Sequence, residues 1–473
     1  MRSSSVCPSR QRFARVPTVA FSVLTAASLT LLLGLTTPAC APPPEPYVIN
    51  QASVERVINV LAADDMEGRA TFSPALWRAA DFIADEYEAI GLEPYVGNAG
   101  TGGAGAAEHA NPYFQHINVI QTATESCDVT INGTAVAADH FACRIGTDSV
   151  DLSLDDVEVL TVGDDPMQAV RRIFGAEGNM LVLMGPDNAE AFQRFGSFLA
   201  RPGGSLESEN GGSDPSFVMV MMDSARDVDA ASVASLSITG AATIEAQPLA
   251  NVIGQITGNR PDEYVIFSAH YDHVGVREGM EGDNIFNGAN DDASGVTAII
   301  ELARYFKSLP KPERTILFLA FTAEESGGYG SRYYAAHVDP AQVIAMFNLE
   351  MIGKPAEGGP GSTWLTGFDR SSLGEILNAA VQGQSYEFTP DPYPDQGLFL
   401  RSDNAALARL GVPAHSFSTT PMNEDPDYHQ PSDEVETLDL AHMTEIIRAL
   451  SLGAAPIISG EATPSRVVFE EEG

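Results

Sequence analysis

Residues Ile316 to Phe321 read Ile-Leu-Phe-Leu-Ala-Phe, an apolar run with no polar interruption. A run this short suits a strand, and apolar character at every position suits a central strand covered on both faces. The surrounding rhythm agrees. Tyr264 to Ala269, Val343 to Leu349 and Ala414 to Ser418 also have strand texture. Between the first two runs lies a helix with apolar positions at Val296, Ile299, Ile300, Ala303 and Phe306, stopping near Pro310. Alternation of this kind predicts an α/β fold, a mostly parallel central sheet with helices on both faces. In such folds the chemistry sits beyond the carboxyl ends of the strands.

Polar clusters fall at those places. They are His270-Tyr271-Asp272, Asn290-Asp291-Asp292, Glu324-Glu325 and Asn348-Leu349-Glu350, joined late by Tyr428-His429. Singly each is ordinary: His-x-Asp is usually a surface pair, and Asp-Asp before Ala-Ser-Gly can simply start a helix. Together they supply the imidazole and carboxylate ligands that zinc takes in hydrolytic sites. A pair of zincs about 3.5–4 Å apart clamps the attacking and leaving oxygens of a hydrolysis. Such a site needs a bridging carboxylate, a His and a carboxylate for each metal, and one free carboxylate as base. The clusters contain every part.

The order and spacing resemble the zinc exopeptidase family of bacterial leucyl aminopeptidases and aminopeptidase Y. The matching segments are Ser268-Ala-His-Tyr-Asp-His273, Gly288-Ala-Asn-Asp-Asp-Ala-Ser-Gly295, Thr322-Ala-Glu-Glu-Ser326 and Asn348-Leu-Glu-Met-Ile-Gly353. Ser402-Asp403 with Gly411-Val-Pro413, and Tyr428-His-Gln-Pro-Ser-Asp433, complete the set. Asp65-Met-Glu-Gly-Arg69 and Gly91-Leu92 look like the family's lead-in. The resemblance implies two zincs per chain. His270, Asp291 and Glu350 would hold one, and Asp291, Glu325 and His429 the other, with Asp291 bridging. Asp272 would orient His270, Glu324 would be the general base, and Tyr428 would stabilise the oxyanion. It also implies a cis Asp291–Asp292 peptide and substrates that are peptides with a free N-terminus. Asp292 and Asp403 are further candidates to face the substrate amine. Position 350 is Glu where the best-known members have Asp, which bears on metal identity, since these ligand types also accept Mn or Co. Rival readings are a carboxypeptidase or glutaminyl cyclase on the same fold, or a non-catalytic surface binding protein on this scaffold.

The rest of the chain frames this centre. Residues 1–40 read as a targeting segment: Arg2, Arg10, Arg12 and Arg15 precede an apolar stretch from Val19 to Leu35. Thr37-Pro38-Ala39-Cys40 resembles a lipoprotein signal in which Cys40 is acylated, and ordinary cleavage at Ala39-Cys40-Ala41 is the alternative. The expectation is an exported protein, lipid-anchored in a bacterial cell envelope, otherwise periplasmic or secreted. Residues 41–50 form a Pro-rich linker, 51–116 an N-terminal helical part of the catalytic domain, and 247–473 the catalytic domain itself. Residues 117–246 read as a β-rich inserted accessory domain, protease-associated-like by position and texture. Its Cys127 and Cys143 are an even pair expected to form a disulfide in an oxidising compartment. Sixty-four acidic residues against 26 Lys and Arg give a net charge of -38. That argues against nucleic acid or an anionic membrane surface as main partner. Oligomeric state has no signal in the sequence.

Overall fold

The computed structural model describes residues 46–469, apart from 99–108, 163–171, 173–177, 208–214, 223–228 and 356–357. Cys40, the targeting segment and the start of the Pro-rich linker lie outside the described residues, as does most of the Gly/Ala-rich stretch from 97 to 107. No helix among the described residues is long and apolar enough to cross a membrane.

The main sheet contains β1 (Phe114–Ile131), β2 (Leu236–Ile256), β3 (Arg260–His270), β4 (Arg314–Phe321), β5 (Val343–Leu349), β6 (Ser362–Leu365), β7 (Glu387–Pro390) and β8 (Ala414–Ser418). Their spatial order is β7-β6-β8-β5-β3-β4-β2-β1. The block β8-β5-β3-β4 is parallel, as the alternation of strands and helices predicts. Both flanks turn antiparallel: β2 against β4, β1 against β2, and β6 against β8.

The apolar run in β4 divides between two cores. Ile316, Phe318 and Ala320 face one core, and Leu317, Leu319 and Phe321 face the other. The first is capped by α1 (Gln51–Leu61), α2 (Pro74–Ile90), α3 (Ser294–Ser308) and α5 (Leu440–Ile458), and the second by α4 (Tyr329–His337) and the short helix Asn404–Ala408. Local signals start and stop these helices where the side chains allow. Asn50 caps α1 through Ser53 N–H, and Ser73 caps α2 ahead of Pro74. Gly91 ends α2 at φ 81°, a left-handed conformation that costs glycine nothing.

Phenylalanines tie the parallel block together. Phe267 of β3 stacks on Phe318 of β4 at 5.8 Å and on Phe347 of β5 at 5.0 Å, and Phe347 stacks on Phe417 of β8 at 5.3 Å. Each pair contributes about 0.5–1.5 kcal/mol beyond area burial. Because Ser268 lies opposite Asn348, His270 and Glu350 emerge side by side two residues further on. The packed sheet thus sets the spacing of the polar residues beyond its edge.

Segment 114–256 contributes two long strands to the main sheet and carries a second sheet of its own. β1 pairs with β2 from Phe114↔Val252 to Ile131↔Leu236, with one register shift at Ala241/Ala242. A separate four-stranded sheet orders Phe141–Arg144, Phe217–Met221, Met180–Met184 and Glu158–Thr161. Leu181, Leu183, Val218 and Val220 form a core there with Val129 and Ile238. Within the Gly/Ser-rich stretch from 201, Gly203–Leu206 is a strand added to β1. Cys127 and Cys143 form a disulfide, as their pairing in the sequence predicts.

Candidate metal centre

Three adjacent parallel strands deliver the first side chains. His270 is the last residue of β3, Glu350 follows β5, and Glu324 and Glu325 lie just past β4. Asp291 sits in the irregular turn before α3, and His429 in the loop after β8. Three non-glycine residues here adopt left-handed backbone: Ala323 (φ 59°), Met351 (φ 56°) and His429 (φ 55°). Such conformations cost about 1–3 kcal/mol each and persist where surrounding structure imposes them, typically at functional sites. The Asp291–Asp292 peptide is cis, as the resemblance implies.

Asp291 is the hub. Its Oδ1 lies 3.1 Å from His270 Nε2 and its Oδ2 lies 3.1 Å from His429 Nε2. On the first side Glu350 Oε1 is 3.3 Å from His270 Nε2. On the second, Glu325 Oε1 is 3.0 Å from His429 Nε2. The extra methylene of Glu350 therefore still brings an oxygen to His270, while Ser402 Oγ donates to its other oxygen at 2.5 Å.

The supporting contacts are specific. Asp433 accepts the backbone N–H groups of Asn290 and Asp291 at 2.9 and 3.0 Å and so holds the hub in place. Asp292 turns away from the hub: its oxygens accept N–H bonds from His270, Gly295 and Met351. One oxygen still lies within 4.8 Å of ligand atoms of His270 and Glu350, while Oδ2 accepts the N–H of His270 and Oδ1 accepts those of Gly295 and Met351. Asp272 sits beside His270. Its main-chain oxygen, at 3.1 Å, is what engages His270 Nδ1, and its carboxylate is 3.8 Å away. The carboxylate instead accepts the N–H groups of Glu324 and Glu325 at 3.0 and 3.2 Å, and so shapes the turn that carries them.

Charge balance supports a cation. Asp291, Asp292, Glu324, Glu325 and Glu350 crowd one pocket region, and burial pushes Glu324 well above the usual glutamate range, with Glu350, Asp403 and Glu325 adding to the push. Burial alone would raise Asp291 too, but hydrogen bonds from His270 and His429 hold it well below the carboxylate range. Dications among these groups would reverse the cost of crowding so many carboxylates. The donor set, imidazole nitrogen and carboxylate oxygen, fits zinc.

The site opens on a cavity of about 90 Å³. Asp291, Glu324, Glu325, Glu350 and His429 line its polar end, while Trp364, Leu398 and Met422 give it an apolar wall. Tyr428 also lines it, stacked on His429 with ring centroids 4.1 Å apart, and Arg401 brings a positive charge. Asp403 does not line the cavity: it is buried behind, 2% exposed.

Sequence reading assigned no role to His273, Asp433 or Lys354. The first two stand inside quoted motifs, so their residue type was visible and their contacts were not. Lys354 is one of three lysines in the chain and is buried. Its Nζ bonds Asp425 and, at 2.7 Å, Asp427, both in the loop that leads into Tyr428-His429. Lys354→Met would leave two carboxylates facing each other without a cation. The expected result is roughly a 10- to 100-fold loss of zinc affinity at one of two sites, the range seen when a ligand's support is removed. Zinc titration of the metal-free variant measures this, and two undisturbed sites would refute it.

Residues 251–452 match the model of Peptidase family M28. Aminopeptidase YwaD of Bacillus subtilis is 26% identical over 222 residues, 43% of this chain and 43% of that one. A probable zinc metalloprotease of Pyricularia oryzae is 39% identical over 108 residues, 22% of this chain and 21% of its own. The chain thus spans less than half the length of these curated relatives. An aminopeptidase from Aneurinibacillus sp. strain AM-1 shares the fold at a TM-score of 0.51 and 19% identity, over 90% of this chain and 97% of that one. The zinc aminopeptidase BSAP from Bacillus subtilis does so at 0.50 and 18%, over 92% of this chain and 100% of that one.

Proposed function

We propose that this chain, whose residues 251–452 carry a Peptidase family M28 domain, is a two-zinc aminopeptidase that removes N-terminal residues from peptides. The observation that carries the reading is Asp291, with one oxygen facing His270 and the other facing His429. His270, Asp291 and Glu350 would hold one zinc, and Asp291, Glu325 and His429 the other. When bound, the zincs supply Lewis acidity and make water acidic enough to attack at neutral pH. Glu324 takes the proton as the water oxygen bonds to the scissile carbonyl carbon. The same proton passes to the leaving amine nitrogen as the carbon–nitrogen bond breaks. The Tyr428 hydroxyl, on the cavity wall, donates to the carbonyl oxygen as it gains charge. Asp272 holds the turn that aims Glu324.

A free substrate amine should be required, because a carboxylate-rich cavity end suits an ammonium and offers an acylated nitrogen no equivalent partner. N-acetylation should cost the value of a charge-assisted hydrogen bond, about 1.5–3 kcal/mol, or roughly tenfold to a hundredfold in kcat/KM. Leucine p-nitroanilide and its N-acetyl form, compared at matched zinc and salt, measure this. Equal rates would overturn the aminopeptidase reading and leave a metallohydrolase.

Arg401 favours a second reading. A carboxypeptidase needs a cation for the substrate's C-terminal carboxylate, and Arg401 lines the cavity. Turnover of N-blocked peptides with free C-termini, lost in Arg401→Gln, would select it.

We also propose that the chain is exported and anchored through acylated Cys40, with residues 117–246 an accessory insert of protease-associated type. The basic and apolar N-terminal segment and the disulfide support export. Mass spectrometry of the mature N-terminus decides between acylation at Cys40 and plain cleavage.

A further inference from the structure

We infer that His273 is a sixth metal-binding side chain, giving the metal held by Glu325 and His429 a second imidazole through Nδ1. The inference rests on the two-zinc reading and adds to it a ligand outside the five assigned above.

His273 is 1% exposed. Its Nδ1 lies 2.9 Å from Glu325 Oε1 and 3.9 Å from Asp291 Oδ2, and its ring meets that of His429 edge-on, centroids 5.5 Å apart. Ligand atoms of His273, Asp291, Glu325 and His429 all lie within 4.8 Å of one another. Zinc bonds of about 2.0–2.1 Å set at the tetrahedral angle put neighbouring ligand atoms about 3.3 Å apart. The separations around Glu325 and His429, 2.9, 3.0 and 3.1 Å, and the wider 3.9 Å, suit four atoms around one centre.

The ring engages through Nδ1 alone. His273 Nε2 is buried with no hydrogen-bond partner. The ring therefore has one polar engagement, and it points into the cluster. Backbone geometry holds the residue there as well: His273 N–H donates to Arg69 O, and Gly288 leaves room for the ring, since a Cβ at 288 would come 2.5 Å from its carbons.

A functional asymmetry follows. The Glu325 side would present four protein atoms, a closed set of the kind found where zinc stays put. The Glu350 side keeps three, from His270, Asp291 and Glu350, and so retains the open position. On treatment with a chelator, the metal on the His273 side should leave last.

The alternative is that His273 only donates Nδ1–H to Glu325 and positions it. Asparagine separates the two roles, because its amide nitrogen can stand in for Nδ1–H as donor but is a poor zinc ligand. Metal-free wild type, His273→Asn and His273→Ala are titrated with zinc, and imidazoles per zinc are counted by X-ray absorption on the wild type. Ligation predicts that Asn and Ala variants both lose more than about 100-fold in affinity at the tighter site and keep the weaker one. It also predicts three imidazoles over two zincs in the wild type. An Asn variant that binds like wild type, or a count of two imidazoles, overturns the inference, and the count needs no variant to fold. A wild type that takes up no zinc brings down the two-zinc reading itself, and this inference with it.

Discussion

Glu324→Gln should lower kcat by about 10²–10⁴-fold while the protein still binds two zinc ions. The side chain lines the cavity beside Asp291, Glu325 and Glu350 but belongs to neither group of converging ligand atoms. Its place is set from behind, by the bond from its N–H to Asp272 and by the left-handed Ala323 before it. The amide keeps the shape and cannot carry the proton, so chemistry is lost and ligands are not. KM should change little, because the group acts as charge moves and not when substrate docks. Activity and zinc content are measured on the same sample. A variant holding one zinc would make Glu324 a ligand, and one with near-native kcat would move the base elsewhere.

What could be read from the sequence was whatever depends on near neighbours. The parallel block declares itself because β4 is apolar at every position from Ile316 to Phe321 and both its faces are buried. β1 is hard to read as one strand because Gln121, Thr124 and Glu125 interrupt its buried side chains. The strand character of Gly203–Leu206 comes from pairing with Val119–Thr122 and not from its own Gly-rich composition. The candidate ligands are legible because each stands in a short motif, after a strand for His270, Glu325 and Glu350 and in a loop for Asp291 and His429. Their supports are not. Asp433 reaches back 142 positions to Asp291 N–H, and Lys354 reaches forward 73 to Asp427. Nor could the motif show that Asp272 gives His270 its main-chain oxygen and gives its carboxylate to the neighbouring turn.

Arg69 is the support with the most to lose. The side chain is fully buried, and its guanidinium donates to four backbone oxygens: Leu61 at 2.5 Å, Tyr271 at 2.9 Å, Asn287 at 2.7 Å and Gly288 at 3.0 Å. One arginine thereby joins the end of α1 to the turn after His270 and to the segment that leads into Asp291. Burial lowers its pKa to about 10, against the pull of Asp272, Asp433, Asp291 and Asp292, so it remains a cation at neutral pH. The approach to it is equally constrained: a Cβ on Gly68 would lie 2.3 Å from Phe286 O, and Gly68 has φ +60°. Arg69→Met would fill similar volume with no donor. Gly288 O keeps the N–H of Ala293, and each of the other three buried carbonyls left unpaired costs about 1–3 kcal/mol, so the loss should exceed roughly 3 kcal/mol even if water recovers some of the bonds. Arg78→Met is the control, since its ion pair with Glu67 is exposed at both ends and such pairs are worth about 0–1 kcal/mol. Urea unfolding of metal-free protein should show a large fall in midpoint for Arg69→Met and almost none for Arg78→Met. Lysine at 69 should recover part of the loss, keeping the charge while lacking the planar fork that serves four acceptors. Equal midpoints for Arg69→Met and wild type would mean the four oxygens find other donors, and the junction would have to be held by packing alone.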